Sequence, residues 1–223
     1  MVNRTTKQYF DELSNDYILA FDGKGNRPTE KIANKLFRSD IFIKRTNCVV
    51  ELIKKIGVQD KTVLDIGCGP GHISVLIAQM GASQVVGIDI SQKMIEHAIG
   101  LSDKYNSKEK CIFTVGDALD TNLPRSDITL IIAVLEYHEK PELLLKKIAD
   151  QTKEWIILAT PKRIWWMIVL RKIYLQYLKG LPVFFHTNDK LSLPLEQLGF
   201  KNKEIYDLGR LEVIAFKKEY DAK

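Results

Sequence analysis

The stretch VLDIGCGPGHIS, residues 63–74, decides the fold of this 223-residue chain. An apolar run leads into Gly67, Gly69 and Gly71, and a segment with helical spacing follows directly. Glycine lets the backbone turn with positive φ and lets a ligand approach without meeting a Cβ atom. The stretch therefore predicts a strand, a tight loop that can hold a ligand, and a helix. An ordinary strand-to-helix turn is the alternative that a glycine cluster alone leaves open.

Outside this stretch, short apolar runs alternate with helix-like segments between about residues 60 and 160. The alternation is typical of β-α-β units that build a parallel sheet. We predict five strands there, all buried on both faces, and two more near the end of the chain. The five are 62–67, 85–90, 111–115, 128–133 and 155–159, and the later pair lies near 204–206 and 211–216. A helix is expected over about 45–56, and Ser91 and Pro141 are expected to begin two of the connecting helices.

Composition limits the kind of protein. Hydrophobic residues make up 45% of the chain and charged residues 27%, which is enough apolar material for a buried core. The formal net charge is +5, and residues 161–223 hold twelve basic and seven acidic side chains, an excess equal to that of the whole chain. Three cysteines without CxxC spacing argue against a disulfide framework and a zinc site, so no metal is expected. With no signal-like start and no apolar run that could span a bilayer, a cytoplasmic location is expected.

Acidic residues beside the glycine loop narrow the class of ligand. Asp89 ends the second predicted strand, where a carboxylate can accept both ribose hydroxyls of a nucleoside. The loop spacing is GxGxG and not the GxGxxG of nicotinamide-binding proteins. Asp65, two residues before Gly67, places negative charge where a phosphate would be repelled and a cation attracted. S-adenosylmethionine carries an ammonium and a sulfonium and no phosphate, so it fits this charge pattern.

A further acidic position follows the third predicted strand in GDALD, residues 116–120. The Asp117 carboxylate can accept a hydrogen bond from an adenine amino group, and the Ala118 amide can donate to a ring nitrogen. Capping of the local loop is the alternative role for Asp117.

The segments VLDIGCGPG, VVGIDIS and GDALD, in this order and at these separations, resemble the first three motifs of class I S-adenosylmethionine-dependent methyltransferases. The resemblance covers about residues 45–160 and implies an α/β, Rossmann-like, seven-stranded mixed sheet of order 3-2-1-4-5-7-6, flanked by helices in a single domain. The flanks, KLFRSDIFIKR before the core and the stretch from TPKR to LGF after it, resemble a subgroup described as similar to magnesium-protoporphyrin O-methyltransferases. Residues 1–44 are expected to form a helical extension at the acceptor region, and residues 45–223 the methyltransferase domain with a basic-aromatic insertion at 162–186.

The resemblance also implies roles for individual residues. Asp65 would orient the methionine end of S-adenosylmethionine, and Asp89 would hold the ribose with Ile90 beside the adenine. Ala133 would lie against the methionine part, and Tyr17 would cover the cofactor, although a plain packing role for Tyr17 is equally open. The loop beneath the cofactor would comprise Gly67, Cys68, Gly69 and Gly71, and the adenine edge would be read by Asp117 and Ala118. S-adenosylhomocysteine would be the demethylated product.

The segment after the fourth predicted strand, AVLEYHEKPE, offers a candidate for catalysis. His138 would act as general base if the acceptor must lose a proton, and would line the pocket if it need not. His186, in the piece FFHT, is a second candidate in a weaker position. Methyl transfer is an in-line displacement, so alignment of donor and acceptor and exclusion of water are its main requirements.

Residues 162–179, KRIWWMIVLRKIYLQYLK, have an apolar aromatic face and a basic face on a helical wheel. The apolar face would hold Trp166, Met167, Leu170, Ile173, Tyr174, Tyr177 and Leu178, and the basic face Arg171, Lys172, Gln176 and Lys179. Three interpretations are open: plain packing on the sheet, a lid over an apolar acceptor, or peripheral contact of residues 163–179 with a membrane that bears anionic head groups.

Together these features predict a methyltransferase that acts on a small hydrophobic or amphipathic molecule, with O-methylation favoured over transfer to carbon or nitrogen. A nucleic-acid methyltransferase is the first alternative, suggested by the basic C-terminal third. The missing NPPY-type tetrad and the modest net charge argue against nucleic acid as a partner. The second alternative is a cofactor-binding scaffold without turnover. The sequence identifies neither the acceptor nor the oligomeric state.

Overall fold

The computed structural model describes residues 5–21 and 39–220, with side chains for 5–14 and 41–220. One sheet contains seven strands in the order β3-β2-β1-β4-β5-β7-β6. They are β1 (Thr62–Ile66), β2 (Gln84–Asp89), β3 (Cys111–Val115), β4 (Ser126–Ile132), β5 (Thr152–Pro161), β6 (Asn202–Asp207) and β7 (Leu211–Lys217). Strands β1 to β5 run parallel, and β7 pairs antiparallel with both β5 and β6. The sheet order implied by the family resemblance is confirmed.

Helices connect the parallel strands and pack on the sheet. They are α1 (Thr6–Phe21), α2 (Ser39–Ile56), α3 (His72–Gln79), α4 (Gln92–Lys104), α5 (Pro141–Gln151), α6 (Trp165–Arg171) and α7 (Asn188–Glu196). A 3-10 turn spans Leu135–Tyr137, and a π-helix over Lys172–Leu178 continues α6. The predicted helix starts are confirmed, since Ser91 Oγ accepts a hydrogen bond from the Met94 amide and Pro141 occupies the first turn of α5. Within the described ranges, no helix is long and apolar enough to cross a bilayer.

Two apolar layers enclose the sheet. Successive residues of a strand point to opposite faces, so Val63 belongs to one layer and Leu64 to the other. A third, smaller cluster lies apart from both and joins α1 to the π-helix and to the chain that follows it. Its buried members are Tyr9, Leu175, Leu181 and Val183.

The prediction that all five parallel strands are buried on both faces is wrong for β3. This strand lies at the edge of the sheet. Helices α3 and α4 contact it, but Ile112 is 47% exposed and Thr114 is also exposed. An edge strand with helices on one face leaves every second side chain in solvent, and an apolar run such as CIFTV does not reveal this position.

The apolar face that the helical wheel predicts for the insertion is not the side that packs against the protein. Met167 and Leu175 are buried, and between them Arg171, predicted on the solvated basic face, turns inward. A wheel finds the widest apolar face, but it does not show which side meets the protein. Here the residues that point inward, Met167, Arg171 and Leu175, lie along the border between the predicted apolar face and the predicted basic face. Most of the predicted apolar face is exposed instead, namely Trp166, Leu170, Ile173, Tyr174, Tyr177 and Leu178.

Candidate functional site

The glycine loop follows β1 at the carboxyl edge of the sheet. Gly67, Gly69 and Gly71 all have positive φ, at +68°, +54° and +79°, a region in which other residues are strained. The Gly67 N–H donates to the Ile88 carbonyl at 2.7 Å, which ties the loop to β2. A Cβ atom added to Gly71 would lie 2.8 Å from the Ala98 Cβ, whereas one added to Gly69 would meet nothing within 4 Å. Gly69 therefore marks the open side of the loop, where a ligand can approach the backbone.

Asp89 ends β2 and holds this loop in place. Its Oδ2 accepts a hydrogen bond from the Gly69 N–H and its Oδ1 one from the Ser91 N–H, both at 2.9 Å. Burial raises the pKa of Asp89, and these two backbone donors counteract the rise. A carboxylate oxygen can accept more than one hydrogen bond, so Asp89 can still accept bonds from a ligand on the open side. The sequence predicted the carboxylate but not its role in shaping the loop.

Asp65 lies beneath the loop and is buried. Burial raises its pKa to about 7, with a further contribution from the negative charge of Asp89. A hydrogen bond from Ser74 Oγ to Asp65 Oδ2, at 2.5 Å, and the positive charge of Arg45 act in the opposite direction. Asp65 is thus a carboxyl group near its midpoint of ionisation at neutral pH, and a nearby cation would favour its charged form.

Arg45 is a candidate site residue that the sequence analysis missed. It lies on α2, and its charge reaches Asp65 strongly enough to affect the pKa of that carboxyl group. Its Nε atom is buried without a hydrogen-bond partner among the described residues. A buried donor without an acceptor is costly unless a ligand supplies one. The sequence shows only a basic residue in an amphipathic helix, so nothing in it marks Arg45.

The segment after β3 lies next to Asp89. The Gly116 N–H donates to the Asp89 carbonyl at 2.9 Å, and Asp117 Oδ1 accepts a hydrogen bond from the Leu119 amide at 2.9 Å. The loop-capping alternative for Asp117 is therefore realised in the fold, and its second oxygen is left to meet other donors. Ala118, directly after Asp117, is buried, and Ile90, directly after Asp89, is half-buried.

The segment after β4 begins with a strained residue. Ala133 has φ +59°, although it is not glycine, and its N–H donates to the Ala159 carbonyl at 2.9 Å. Non-glycine residues in this region concentrate at functional sites, where neighbouring structure holds them. The next residue, Val134, fills the space where Gly67 lacks a side chain. The chain after β4 thus lies directly against the glycine loop.

The two candidate histidines have different surroundings. His138 is half-buried, and burial lowers its pKa although the Asp117 carboxylate acts in the opposite direction. It is therefore neutral near pH 7, as a general base must be. His186 is buried, and its Nε2 lies 3.1 Å from the Leu135 carbonyl and 2.9 Å from the His138 carbonyl. Because both carbonyls accept hydrogen bonds, Nε2 carries the hydrogen and donates it. His186 thus anchors the segment from Leu135 to His138.

Helix α1 lies across the carboxyl edge of the sheet. At one point Asp11 Oδ1 accepts a hydrogen bond from Ser91 Oγ at 2.6 Å, and at another the Phe10 ring meets the Tyr137 ring edge-on with centroids 5.2 Å apart. The helix therefore connects the region after β2 with the region after β4. Tyr17 belongs to α1, but its side chain lies outside the described part, so its covering role stays a prediction.

The side of the site beyond β4 is apolar and aromatic. The cluster around Tyr9 and Leu175 also includes the half-buried rings of Phe10, Tyr137 and Phe185. One ion pair borders it, in which Arg171 Nη2 donates to Glu136 Oε1 at 2.5 Å. The buried members of the cluster are shielded from water, and this ion pair balances the charge of both its members.

Sequence comparisons agree with this geometry. Residues 58–163 match the family model described as a methyltransferase domain. The chain is 35% identical over 123 residues to the ubiquinone biosynthesis O-methyltransferase of Nitrosomonas europaea, covering 53% of this chain and 51% of that protein. It is 30% identical over 155 residues to the protein of the same description from Serratia proteamaculans, covering 65% and 61%. The chain thus spans about half to three fifths of the length of these relatives.

Structural comparison extends the likeness to almost the whole chain. The crystal structure of magnesium protoporphyrin IX methyltransferase from Synechocystis PCC 6803 with bound SAH superimposes with a TM-score of 0.76 at 21% identity. The match covers 96% of this chain and 98% of that one. The fold and the family match define the class: residues 58–163 match a methyltransferase domain, and the seven strands between residues 62 and 217 have the order expected of the class I fold. The class, indicated first by sequence motifs, is confirmed, and the likeness to the magnesium protoporphyrin IX methyltransferase is one of fold.

Proposed function

We propose that this chain transfers a methyl group from S-adenosylmethionine to a small hydrophobic or amphipathic acceptor. The observation that carries the proposal is the glycine loop with a carboxyl group beneath it, Asp65, and another at its open side, Asp89. Such a site attracts a cationic nucleoside and repels the phosphates of a dinucleotide. The bound cofactor supplies a methyl group already activated on a sulfonium.

The residues around the loop suit the parts of that cofactor. Asp65 binds its ammonium group, Asp89 accepts hydrogen bonds from the ribose hydroxyls, and Arg45 uses its unpartnered Nε to bind the cofactor's carboxylate. Ala133 packs against the methionine part. The remaining contacts are the loop residues Gly67, Cys68, Gly69 and Gly71, and the adenine contacts Ile90, Asp117 and Ala118.

The acceptor binds on the side formed by α1, the segment after β4 and the insertion. Its aromatic lining favours a hydrophobic or amphipathic molecule. An oxygen nucleophile is the simplest acceptor, because neutral His138 can remove the proton of a hydroxyl group. A carboxylate acceptor is already ionised at neutral pH and needs no base, in which case His138 lines the pocket. The residues then act mainly by alignment and by excluding water.

The direct test uses an extract of the organism's own cells with labelled S-adenosylmethionine. The wild-type protein is expected to label a small molecule whose mass rises by one methylene unit. Asp89→Ala should lose labelling together with cofactor affinity, whereas Asp120→Ala, at an exposed position after β3, should retain both. Cofactor binding without any labelled product would favour the scaffold alternative. Unchanged cofactor affinity in Asp89→Ala would contradict the ribose role.

The nucleic-acid alternative is not favoured. Several basic side chains of the C-terminal third are paired within the protein, as in Lys162 with Asp207 at 2.8 Å and Lys203 with Glu196 at 3.2 Å. These pairs reduce the positive surface that a phosphate backbone requires. Strongly salt-dependent association with RNA or DNA would reverse this conclusion.

The insertion is suited to peripheral contact with an anionic membrane. Trp165 is 77% exposed, Leu178 is 71% exposed, and six more large apolar side chains of α6 and the π-helix are at least 39% exposed. Exposed basic residues accompany them, namely Arg163, Lys172 and Lys179. An apolar stripe beside basic groups matches the boundary between acyl chains and anionic head groups.

Sedimentation with vesicles tests this contact. The protein should sediment with vesicles that contain phosphatidylglycerol and much less with pure phosphatidylcholine. Trp165→Ser with Leu178→Ser should abolish sedimentation, whereas Leu143→Ser, which removes a 54% exposed leucine from α5, should not. Equal sedimentation of all three proteins would contradict the membrane contact and leave the insertion as a lid or a packing element.

A further inference from the structure

One buried ion pair connects the insertion to the segment after β4. The Glu136 carboxylate is 5% exposed and lies in the 3-10 turn, while Arg171 ends α6. Their oxygen and nitrogen atoms are 2.5 Å apart. Arg171 stands between Met167 and Leu175, so a charged group occupies the middle of an otherwise apolar inward stripe.

An ion pair is not needed to fill this buried space, because apolar side chains could fill it. Burial disfavours the charged Arg171 guanidinium, but attraction by Glu136 and Tyr137 outweighs it and the pKa of Arg171 is raised. Removing one partner would leave a buried charge without compensation, which costs stability. Replacing both by apolar residues of similar size is often tolerated. What an ion pair adds over apolar packing is direction, because its hydrogen bond fixes the relative orientation of two segments.

The residues next to Glu136 make further contacts that depend on how its segment is oriented. The Phe184 N–H donates to the Glu136 carbonyl at 2.8 Å, and His186 lies within hydrogen-bond distance of the carbonyls of Leu135 and His138. The Arg171 guanidinium also lies 5.7 Å from the centroid of the Phe185 ring. The segment that bears Tyr137 and His138 is therefore held to residues 184–186 by one backbone hydrogen bond and by the His186 ring, and to α6 by the pair of Glu136 and Arg171.

We propose that Glu136 and Arg171 are positioning residues that fix the 3-10 turn against the insertion and thereby orient Tyr137 and His138 toward the acceptor. The pair does not touch the glycine loop, so it acts on acceptor geometry and not on cofactor affinity. The functional meaning rests on the proposed methyltransferase activity, but the positioning itself can be measured without an acceptor.

The test compares Arg171→Gln, Arg171→Lys and the double variant Glu136→Leu/Arg171→Met. Lys172→Gln, at an exposed position in the π-helix that continues α6, is the control. Two reporters read the turn directly. One is exchange of the His138 amide, which donates to the Leu135 carbonyl at 3.1 Å, and the other is the ring resonance of His138 in NMR spectra. Affinity for S-adenosylhomocysteine and the melting temperature are measured in parallel.

The double variant is expected to melt near the wild-type temperature, yet its His138 amide should exchange about tenfold faster or more, because the turn opens more often. Its His138 ring resonance should shift as well. Arg171→Lys should stay close to wild type. Arg171→Gln should show the same faster exchange of the His138 amide as the double variant, but it should melt at a lower temperature because the buried Glu136 carboxylate loses its partner. Exchange in Arg171→Gln relative to Arg171→Lys therefore tests the role even if the double variant does not fold. Affinity for S-adenosylhomocysteine should stay within about twofold in every folded variant.

An unchanged His138 amide and ring in the double variant, or equal behaviour of Arg171→Gln and Arg171→Lys, would overturn the positioning role. Failure of the wild-type protein to bind S-adenosylhomocysteine would instead contradict the proposed function and leave the exchange result standing. The two failures are therefore distinguishable.

Discussion

Replacing Asp65 by asparagine should stabilise the protein without ligand while weakening cofactor binding. Asparagine keeps the shape of the side chain and an acceptor oxygen for Ser74 Oγ, and it replaces the other oxygen by a neutral NH2 group that cannot ionise. The ordinary pKa of the carboxyl group is 3.8 and the folded-state value is about 7. The folded protein therefore holds this proton more tightly than the unfolded chain does, so the penalty for ionised Asp65 grows as pH rises from about 4 and is complete above about 7.

The size of the effect follows from this difference in pKa. Each unit corresponds to about 1.4 kcal/mol, so wild type with ionised Asp65 is less stable than Asp65→Asn by about 4 kcal/mol at pH 8. At pH 5 the folded carboxyl group is protonated, and the advantage of the variant falls to about 2 kcal/mol. For a domain of this size, the gain at pH 8 corresponds to a rise in melting temperature of roughly 8–16 °C.

Urea denaturation at pH 8 and pH 5 measures these free energies of unfolding, and titration with S-adenosylhomocysteine measures binding. Affinity should fall about tenfold or more in Asp65→Asn, because the ammonium group loses its anionic partner. Asp127→Asn is the matched control. Burial alone would raise the pKa of Asp127, but hydrogen bonds from Thr62 and Lys153 lower it, so asparagine there should destabilise the protein at pH 8. A less stable Asp65→Asn protein at pH 8, or a gain independent of pH, would refute the reasoning.

Three further predictions concern the loop and the two histidines. Gly71→Ala should lower the free energy of unfolding by about 2 kcal/mol or more, since alanine is strained at φ +79° and its Cβ would press on Ala98; unchanged urea denaturation would contradict the loop geometry. His186→Phe should cost about 1–3 kcal/mol by the same assay, because the His138 carbonyl loses its hydrogen bond from Nε2 and the Leu135 carbonyl keeps only the one from the His138 amide; wild-type stability would argue against the anchor. Once the acceptor is known, turnover by wild type should fall as pH drops through the lowered pKa of His138, and His138→Gln should remove this dependence; equal turnover in both proteins would make His138 a lining residue.

The sequence predicts the features that depend on local backbone requirements. Glycines at 67, 69 and 71 are needed wherever a strand turns sharply into a helix around a ligand, and all three adopt positive φ. Asp89 ends its strand and reaches the loop for a similar reason, because residues that end adjacent parallel strands meet at one edge of the sheet. The order of the strands was not available from spacing alone and came from the family resemblance.

The features that the sequence does not reveal depend on contacts between distant segments. Arg45 and Arg171 each look like a solvated basic residue of an amphipathic helix, and only the fold brings the first near Asp65 and the second to Glu136. The sequence fails to predict the exposed face of β3 for the same reason, because an apolar strand has the same sequence pattern at the edge of a sheet as at its centre. In each case, the sequence does not show which element of the fold packs against the residue or strand.

Calorimetric titration of the purified protein with S-adenosylhomocysteine, repeated with NAD, tests the central claim most directly. The carboxylates beneath and beside the glycine loop predict saturable one-site binding of S-adenosylhomocysteine at micromolar concentration and none of NAD. Absence of binding by the sulfur nucleoside, or comparable binding of the dinucleotide, would contradict it.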